Sequence, residues 1–357
     1  MPEFKLLSAA EQAANHLRER ILSGIWGDEI PGAPTLAAEL GINHETVIAA
    51  LQLLEHEGLL ANQGAGRRRK IVLPMGRVEG RGIRVALLVS DSPARGVGYM
   101  INLRHLLEEA GHVPYFPDKT LEDLGMDVRR VARFVKKTEA DAWIVCAASQ
   151  EVLEWFSAQE TPAFSLFGVL RGLPIAGTGP DKAPPLAEAT RRLVELGHRG
   201  ISFLCRRAVR LPQRALAVRT FLDELETAGI VTGEFNLPDW EESREGFGRV
   251  LDSLFGSTPP TAMILDQPFL FHAAYHHLAG LGLHVPQDVS LICTDPDPGF
   301  EWCRPPVAHF RWDYRPAVRR IVTWAANVSR GKEDRRQTMT KAEFVEGGTI
   351  GPVPGRK

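Results

Sequence analysis

Two kinds of hydrophobic spacing divide the chain. From Ile83 onward, short continuous apolar runs recur at 84–90, 141–146, 163–167, 201–204, 262–265 and 289–293. Between them, over 103–110, 128–136, 186–196, 216–228, 247–255 and 269–281, apolar residues fall three or four apart. The runs predict strands buried on both faces, and the spaced stretches predict the helices that cover them, so residues 83–357 read as an α/β region with two parallel sheets. In open parallel sheets a ligand lies beyond the carboxyl ends of the strands. The polar residues that end the runs, Asp91 and Asp266 among them, are therefore the first candidates for a site.

Before Ile83 the pattern is helical only. A first helix over about 8–22 turns Ala10, Ala14, Leu17 and Ile21 inward and stops at Ser23-Gly24, and the Ile30-Pro31-Gly32-Ala33-Pro34 turn leads into a short second one. A third begins after Asn43, whose side chain suits an N-cap, with Glu45 placed where the helix dipole favours a carboxylate. Val47, Ala50, Leu51 and Leu54 make one apolar stripe and leave His44, Glu45, Ile48 and Gln52 outward. Gly58 ends this helix, Gly64-Ala65-Gly66 allows a tight turn, and four cations follow, Arg67, Arg68, Arg69 and Lys70, before Ile71-Val72-Leu73 closes the hairpin as a strand. Residues 74–82 have no period and three glycines, as a linker does.

Helix, turn, capped helix and cationic hairpin, in that order, suit a winged helix-turn-helix on double-stranded DNA. His44, Thr46 and Ile48, with Thr35 on the short helix, would meet bases or nearby phosphates, and Arg67 to Lys70 would track phosphate oxygens. The bland alternative is a helical hairpin followed by a solvated basic loop. For Thr46 it is a hydroxyl bonded back to its own helix.

Composition narrows the classes. A net charge of -2 argues against a chain that coats nucleic acid with its whole surface, while leaving room for a local basic patch. Cys146, Cys205 and Cys293 lie in or beside apolar runs and read as reduced core residues, and no CxxC spacing points to zinc; Cys303 is left open. The opening MPEFKLLSAAEQ has no apolar signal core and no run approaches 18 apolar residues, so a cytoplasmic chain without a membrane span is expected. No enzyme is expected either. Gly96-Val97-Gly98 lacks the rest of a nucleotide fingerprint, no GxSxG or HExxH occurs, and the adjacent His276 and His277 cannot share a helix face as metal ligands. No cofactor is called for.

The N-terminal part, about 8–73, resembles the gluconate-repressor (GntR) family of bacterial regulators in the segments GIWGDEIP, LAAELGINHETVIAAL and EHEGLLANQGAG. Where that family carries arginines, this chain has Pro34, His44 and Ile48, which implies a different operator. Residues 83–350 resemble the sensor of the lactose-repressor (LacI) family, whose fold is that of periplasmic sugar-binding proteins. The landmarks are LGHRGI at 196–201, the helix from Arg214 to Ala228, GLHVPQDVS at 282–290, Asp295 and Pro305-Pro306. This resemblance implies two lobes joined by crossing strands that close on a small-molecule effector, a sugar or related metabolite. It implies Arg214, Asp295 and Asp266 as polar contacts, Trp240 as a stacking ring, and Asp91 as a contribution from the other lobe. Each has a structural alternative: Arg214 pairing with Asp295, Trp240 as packing, Asp91 and Asp266 as helix caps. Ala217 and Cys293 stand where the family has glycines and narrow the space.

The sequence thus predicts a winged head over 1–73, a linker over 74–82 and a two-lobed periplasmic-binding-protein-like domain over 83–357. The expected function is a homodimeric, ligand-responsive repressor on operator DNA. An activator of the same build, or a cytoplasmic sugar-binding protein without DNA binding, are the alternatives.

Overall fold

The computed structural model describes residues 8–22, 26, 29–57, 59–64, 67–72, 82–168, 170, 172–211, 214–353 and 355. The helix stops expected at Ser23-Gly24 and Gly58, the turn residues Ala65 and Gly66, Leu73, and positions 74–81 of the expected linker lie outside them.

Ser8 and Glu11 open the first helix, α1 (Ala9–Leu22), as a capping box: Ser8 N donates to Glu11 Oε2 at 2.7 Å and Glu11 N to Ser8 Oγ at 3.2 Å. The second helix, α2 (Ala33–Leu40), ends at Gly41 with φ 64, a left-handed conformation that a Cβ disfavours, so the turn into the next helix calls for glycine. Asn43 Oδ1 accepts from Glu45 N at 3.1 Å and caps α3 (His44–His56), as the sequence predicts. Val47, Ala50, Leu51 and Leu54 then pack against Leu17, Ile21 and Leu36. Each buried leucine contributes on the order of 1.5–3 kcal/mol and the cap about 1 kcal/mol, so packing rather than capping holds α3 in place. The strands β1 (Leu60–Ala61) and β2 (Lys70–Ile71) pair antiparallel as a short wing, with Leu60 opposite Ile71.

The chain divides into two compact units, residues 1–179 with 313–340 and residues 180–312 with 341–357. In the first, the strands β3 (Arg84–Leu88), β4 (Val113–Tyr115), β5 (Ala142–Cys146), β6 (Ala163–Leu166) and β7 (Ala176–Asp181, whose last two residues belong to the second unit) run parallel in the order β4-β3-β5-β6-β7. The helices α4 (Gly98–Glu109), α5 (Val128–Val135) and α6 (Gln150–Ser157) join them. The second unit continues through α7 (Ala183–Glu195), β8 (Ile201–Leu204), α8 (Arg207–Arg210), α9 (Leu216–Thr227), α10 (Arg244–Ser257), β9 (Ala262–Leu265), α11 (Pro268–Gly280), β10 (Ser290–Cys293) and β11 (Ala308–Trp312). The long helix α12 (Arg315–Ser329) lies in the first unit, and β12 (Gln337–Val345) begins there and ends in the second. In the second unit β8 to β11 run parallel in the order β11-β10-β9-β8, and β12 adds to β11 antiparallel. Strands β5, β8, β9 and β10 are buried along their whole length, as continuous apolar runs require.

A head with a β wing followed by a two-unit, parallel-sheet periplasmic-binding-protein-like region is the fold class the sequence predicts. The apolar-run reading misses β4, β7, β11, β12, α6, α8 and α12. For β7 the cause is plain, since AGTGPD has turn composition; for β12, QTMTKAEFV alternates with polar residues.

One buried ion pair ties α12 to the segment before β12. Arg320 is about 1 % exposed, and its Nη2 donates to Asp334 Oδ1 at 2.7 Å and its Nη1 to Asp334 Oδ2 at 3.0 Å. Its Nη2 also meets Arg336 O at 2.8 Å, Asn327 Nδ2 holds the same carboxylate at 2.9 Å, and the guanidinium lies over the Phe164 ring at 5.4 Å. Burial lowers the Arg320 pKa, and the Asp334 carboxylate works against that shift and offsets the cost of burying the cation. We expect Asp334→Ala to lower stability by about 3–5 kcal/mol in urea unfolding, the cost of an uncompensated buried charge.

Candidate functional site

The strand ends of the second unit gather charge. Beyond β8 stands Arg206, beyond β9 Asp266, beyond β10 Thr294 and Asp295, and at the end of β7 Lys182. Arg206 Nε donates to Asp266 Oδ2 at 2.7 Å, and Lys182 Nζ lies 2.8 Å from Asp295 Oδ1 and 3.8 Å from Asp266 Oδ1. Thr294 Oγ1 donates to Asp266 O at 3.0 Å and accepts from Lys182 Nζ at 3.5 Å. Asp266 is almost wholly buried; Lys182, Arg206 and Asp295 keep about a fifth to a quarter of their side chains exposed.

Electrostatics follows from this packing. Burial pushes the Asp266 carboxyl up, but Arg206, Lys182 and the hydrogen bonds from Arg206 outweigh it and hold it at about 2. Asp266 in turn raises the Arg206 pKa. Asp295 is raised, because burial exceeds the help from Lys182 and Asp266 adds repulsion. Cys205 and Cys293, just before Arg206 and Thr294, are buried free thiols that burial pushes up, as it pushes Cys146 up to about 12. These three sit where the sequence predicts core cysteines, and Cys303 is half-buried.

Of the five residues expected to bind effector, the structure brings Asp266 and Asp295 together. Arg214 is exposed two residues before α9 and has no partner among the described residues; it does not pair with Asp295. Trp240 donates from Nε1 to Cys205 O at 3.1 Å and packs edge-on against Phe247, so its ring serves the core. Asp91, in the first unit, accepts from Ala94 N at 2.8 Å and caps its own turn. Lys182 and Arg206 escape the sequence reading. Arg206 follows a predicted strand by two residues, so the strand-end rule points to it, whereas Lys182 follows a strand that composition hides.

The first unit has a different strand-end feature. Phe167, directly after β6, holds φ 63, a rare conformation for a bulky side chain that costs about 1–3 kcal/mol. Its ring meets Tyr99 edge-on at 5.3 Å, and Tyr99 lies 6.2 Å from Tyr314, giving an aromatic trio with Tyr314 partly exposed.

On the head, Thr35 and His44 are exposed and Thr46 half-exposed. Ile48 corrects the periodicity: it is half-buried against the head core, because it sits at the edge of the Val47–Leu51 stripe. Arg67, Arg68 and Lys70 are exposed. Arg69 is drawn inward instead, paired with Glu55 of α3, while its carbonyl accepts from Ile30 N at 3.0 Å. The described residues contain no cluster of three His, Cys, Asp or Glu able to hold a metal, and no helix long and apolar enough to cross a membrane.

Asp266 yields a pH test. Its folded pKa lies below the ordinary 3.8, so its contribution is complete above about pH 4 and is lost as pH falls through about 2. The stability gap between wild type and Asp266→Asn, read by urea unfolding, should narrow from pH 4 to pH 3; a constant gap would assign the loss to packing.

Residues 9–67 match the model for the gntR family of bacterial regulatory proteins, and residues 190–350 that for a periplasmic binding protein-like domain. No curated protein sequence matches the chain. Among solved structures, a transcriptional regulator CelR–cellobiose complex is similar with a TM-score of 0.60 at 16% identity, covering 90% of this chain and 100% of that one. A LacI family regulator from Enterococcus faecium with bound ribose matches with a TM-score of 0.58 at 17% identity, over 76% of this chain and 99% of its own. The lac repressor dimer bound to operator and the anti-inducer ONPF gives a TM-score of 0.58 at 16% identity, over 76% and 94%. These relatives are regulators, not enzymes. The chain joins a gntR-family helix-turn-helix domain to a periplasmic binding protein-like domain with a LacI-like fold, the build of a transcriptional regulator.

Proposed function

We propose that this chain is a cytoplasmic, effector-responsive repressor that binds a near-palindromic operator as a homodimer and senses a small hydroxylated metabolite of the sugar class. The head is assigned to 1–73, the linker to 74–82 and the sensor to 83–357. The observation that carries the reading is a capped, outward-facing α3 followed by a cationic wing, in one chain with a charge-compensated cluster at parallel strand ends.

On DNA, α3 enters the major groove and His44 and Thr46 meet base edges, with Thr35 beside them. Arg67, Arg68 and Lys70 hold phosphates. Arg69, paired with Glu55, braces the wing against α3, and Ile48 supports the helix from its edge. Dimerisation is supported by this geometry, since two recognition helices about one turn apart read a two-fold site, and by the lac repressor dimer on its operator.

In the sensor, Asp295, Lys182 and Arg206 present the polar groups of the second unit around the ion-paired Asp266, and Arg214 is exposed between α8 and α9. Cellobiose and ribose in the similar regulators support a sugar-class effector. An effector that changes operator affinity a hundredfold needs about 2.7 kcal/mol of differential binding between two states.

The test is a fluorescence titration of purified protein with duplex from upstream of its own gene, in rising salt. Replacing both Arg67 and Arg68 with Ala should weaken binding and reduce the slope of log affinity against log salt by about 1.8, two phosphate contacts at about 0.9 each. An unchanged slope would remove the wing from the interface, and no preference over random duplex would defeat the reading.

A further inference from the structure

Resting on the reading of the second unit's strand ends as the effector site, the unused hydrogen-bonding capacity there specifies the ligand's chemistry. Asp266 is spent: its Oδ2 takes Arg206 Nε at 2.7 Å and Arg206 N at 3.4 Å, and its Oδ1 lies 3.4 Å from Thr294 Oγ1 and 3.8 Å from Lys182. Lys182 is turned to Asp295 Oδ1 and Thr294. Two things are left over. Arg206 uses only its Nε and backbone N–H, so among the described residues its Nη1 and Nη2 have no partner, although a quarter of the side chain is exposed. Asp295 likewise has one oxygen with no partner among the described residues.

A guanidinium held from behind by a buried carboxylate presents its remaining N–H groups as a fixed fork. That fork matches the two oxygens of a carboxylate or phosphate, and a preorganised fork loses little entropy on binding.

We propose that the effector is a hydroxylated acid, its carboxylate or phosphate gripped by the Nη fork of Arg206 and one of its hydroxyls donating to the free oxygen of Asp295. The acid group explains the vacant fork, and the hydroxyl explains why Asp295 is only half engaged.

The experiment uses the full chain and matched sets: D-glucose, D-gluconate and D-glucose 6-phosphate, and D-ribose, D-ribonate and D-ribose 5-phosphate. Thermal unfolding and calorimetry read binding. We expect at least one acid to raise the melting temperature and to bind at least tenfold tighter than its neutral parent, with the carboxylate and phosphate arms telling which acid is taken. Arg206→Lys keeps a cation against Asp266 but removes the fork, and should weaken that acid at least tenfold; its unliganded melting temperature reports whether it folds. If it does not fold, the wild-type comparison of acid with parent decides alone. A neutral sugar that binds as tightly as its acids overturns the inference while leaving the sensor reading intact. Equal acid affinity in a folded Arg206→Lys also overturns it, as does the absence of binding by every member. The duplex titration then reports separately whether the regulator reading stands.

Discussion

A parallel strand covered on both faces has nowhere to keep a charge except at its ends. Strands β8, β9 and β10 are buried throughout, so Arg206, Asp266 and Asp295 emerge together at one edge because no other position on those strands tolerates them. The site is a consequence of how the core is built. Once several strands end side by side, their terminal residues are brought into contact whatever their separation in the chain: Lys182 and Asp295 are remote in sequence and 2.8 Å apart in space.

The charges so gathered compensate one another, and that compensation governs which of them remain usable. A buried carboxylate is stable only when cations and hydrogen bonds offset its desolvation. Asp266 meets that condition by drawing on Arg206, Lys182 and Thr294, which occupies both of its carboxylate oxygens and fixes the arginine. The same physics operates at Arg320, where Asp334, Asn327 and the Arg336 carbonyl surround one buried cation and tie α12 to the start of β12. In the head the outcome differs. Arg69 is held by Glu55 near the surface, which leaves Arg67, Arg68 and Lys70 as the wing's exposed charge.

Aromatic groups divide in a comparable way. Trp240 has a polar N–H that must be satisfied when the ring packs, and the Cys205 carbonyl does so, placing the indole in the core. Phe167 has no such need and is instead carried in an uncommon backbone conformation at the end of β6, beside Tyr99. Strain of this kind persists where the surroundings over-determine it, and it concentrates at functional positions.

Local chemistry was enough for the head. The Asn43 cap, the Val47–Leu54 stripe and the short strands after it follow from contacts within a few turns of chain, which spacing reveals. The buried strands were legible too, because continuous apolar runs admit few other fates. What the sequence left open were pairings between distant residues. It named Asp295 without its partner Lys182, offering Arg214 only as an alternative partner, and turned Ile48 outward. It also gave Arg69 to DNA, since Glu55 lies fourteen positions away and on another element. Spacing along a chain reports which face a residue shares with its neighbours. Only the folded sheet decides which strand ends meet, and therefore which charges are consumed and which remain for a ligand.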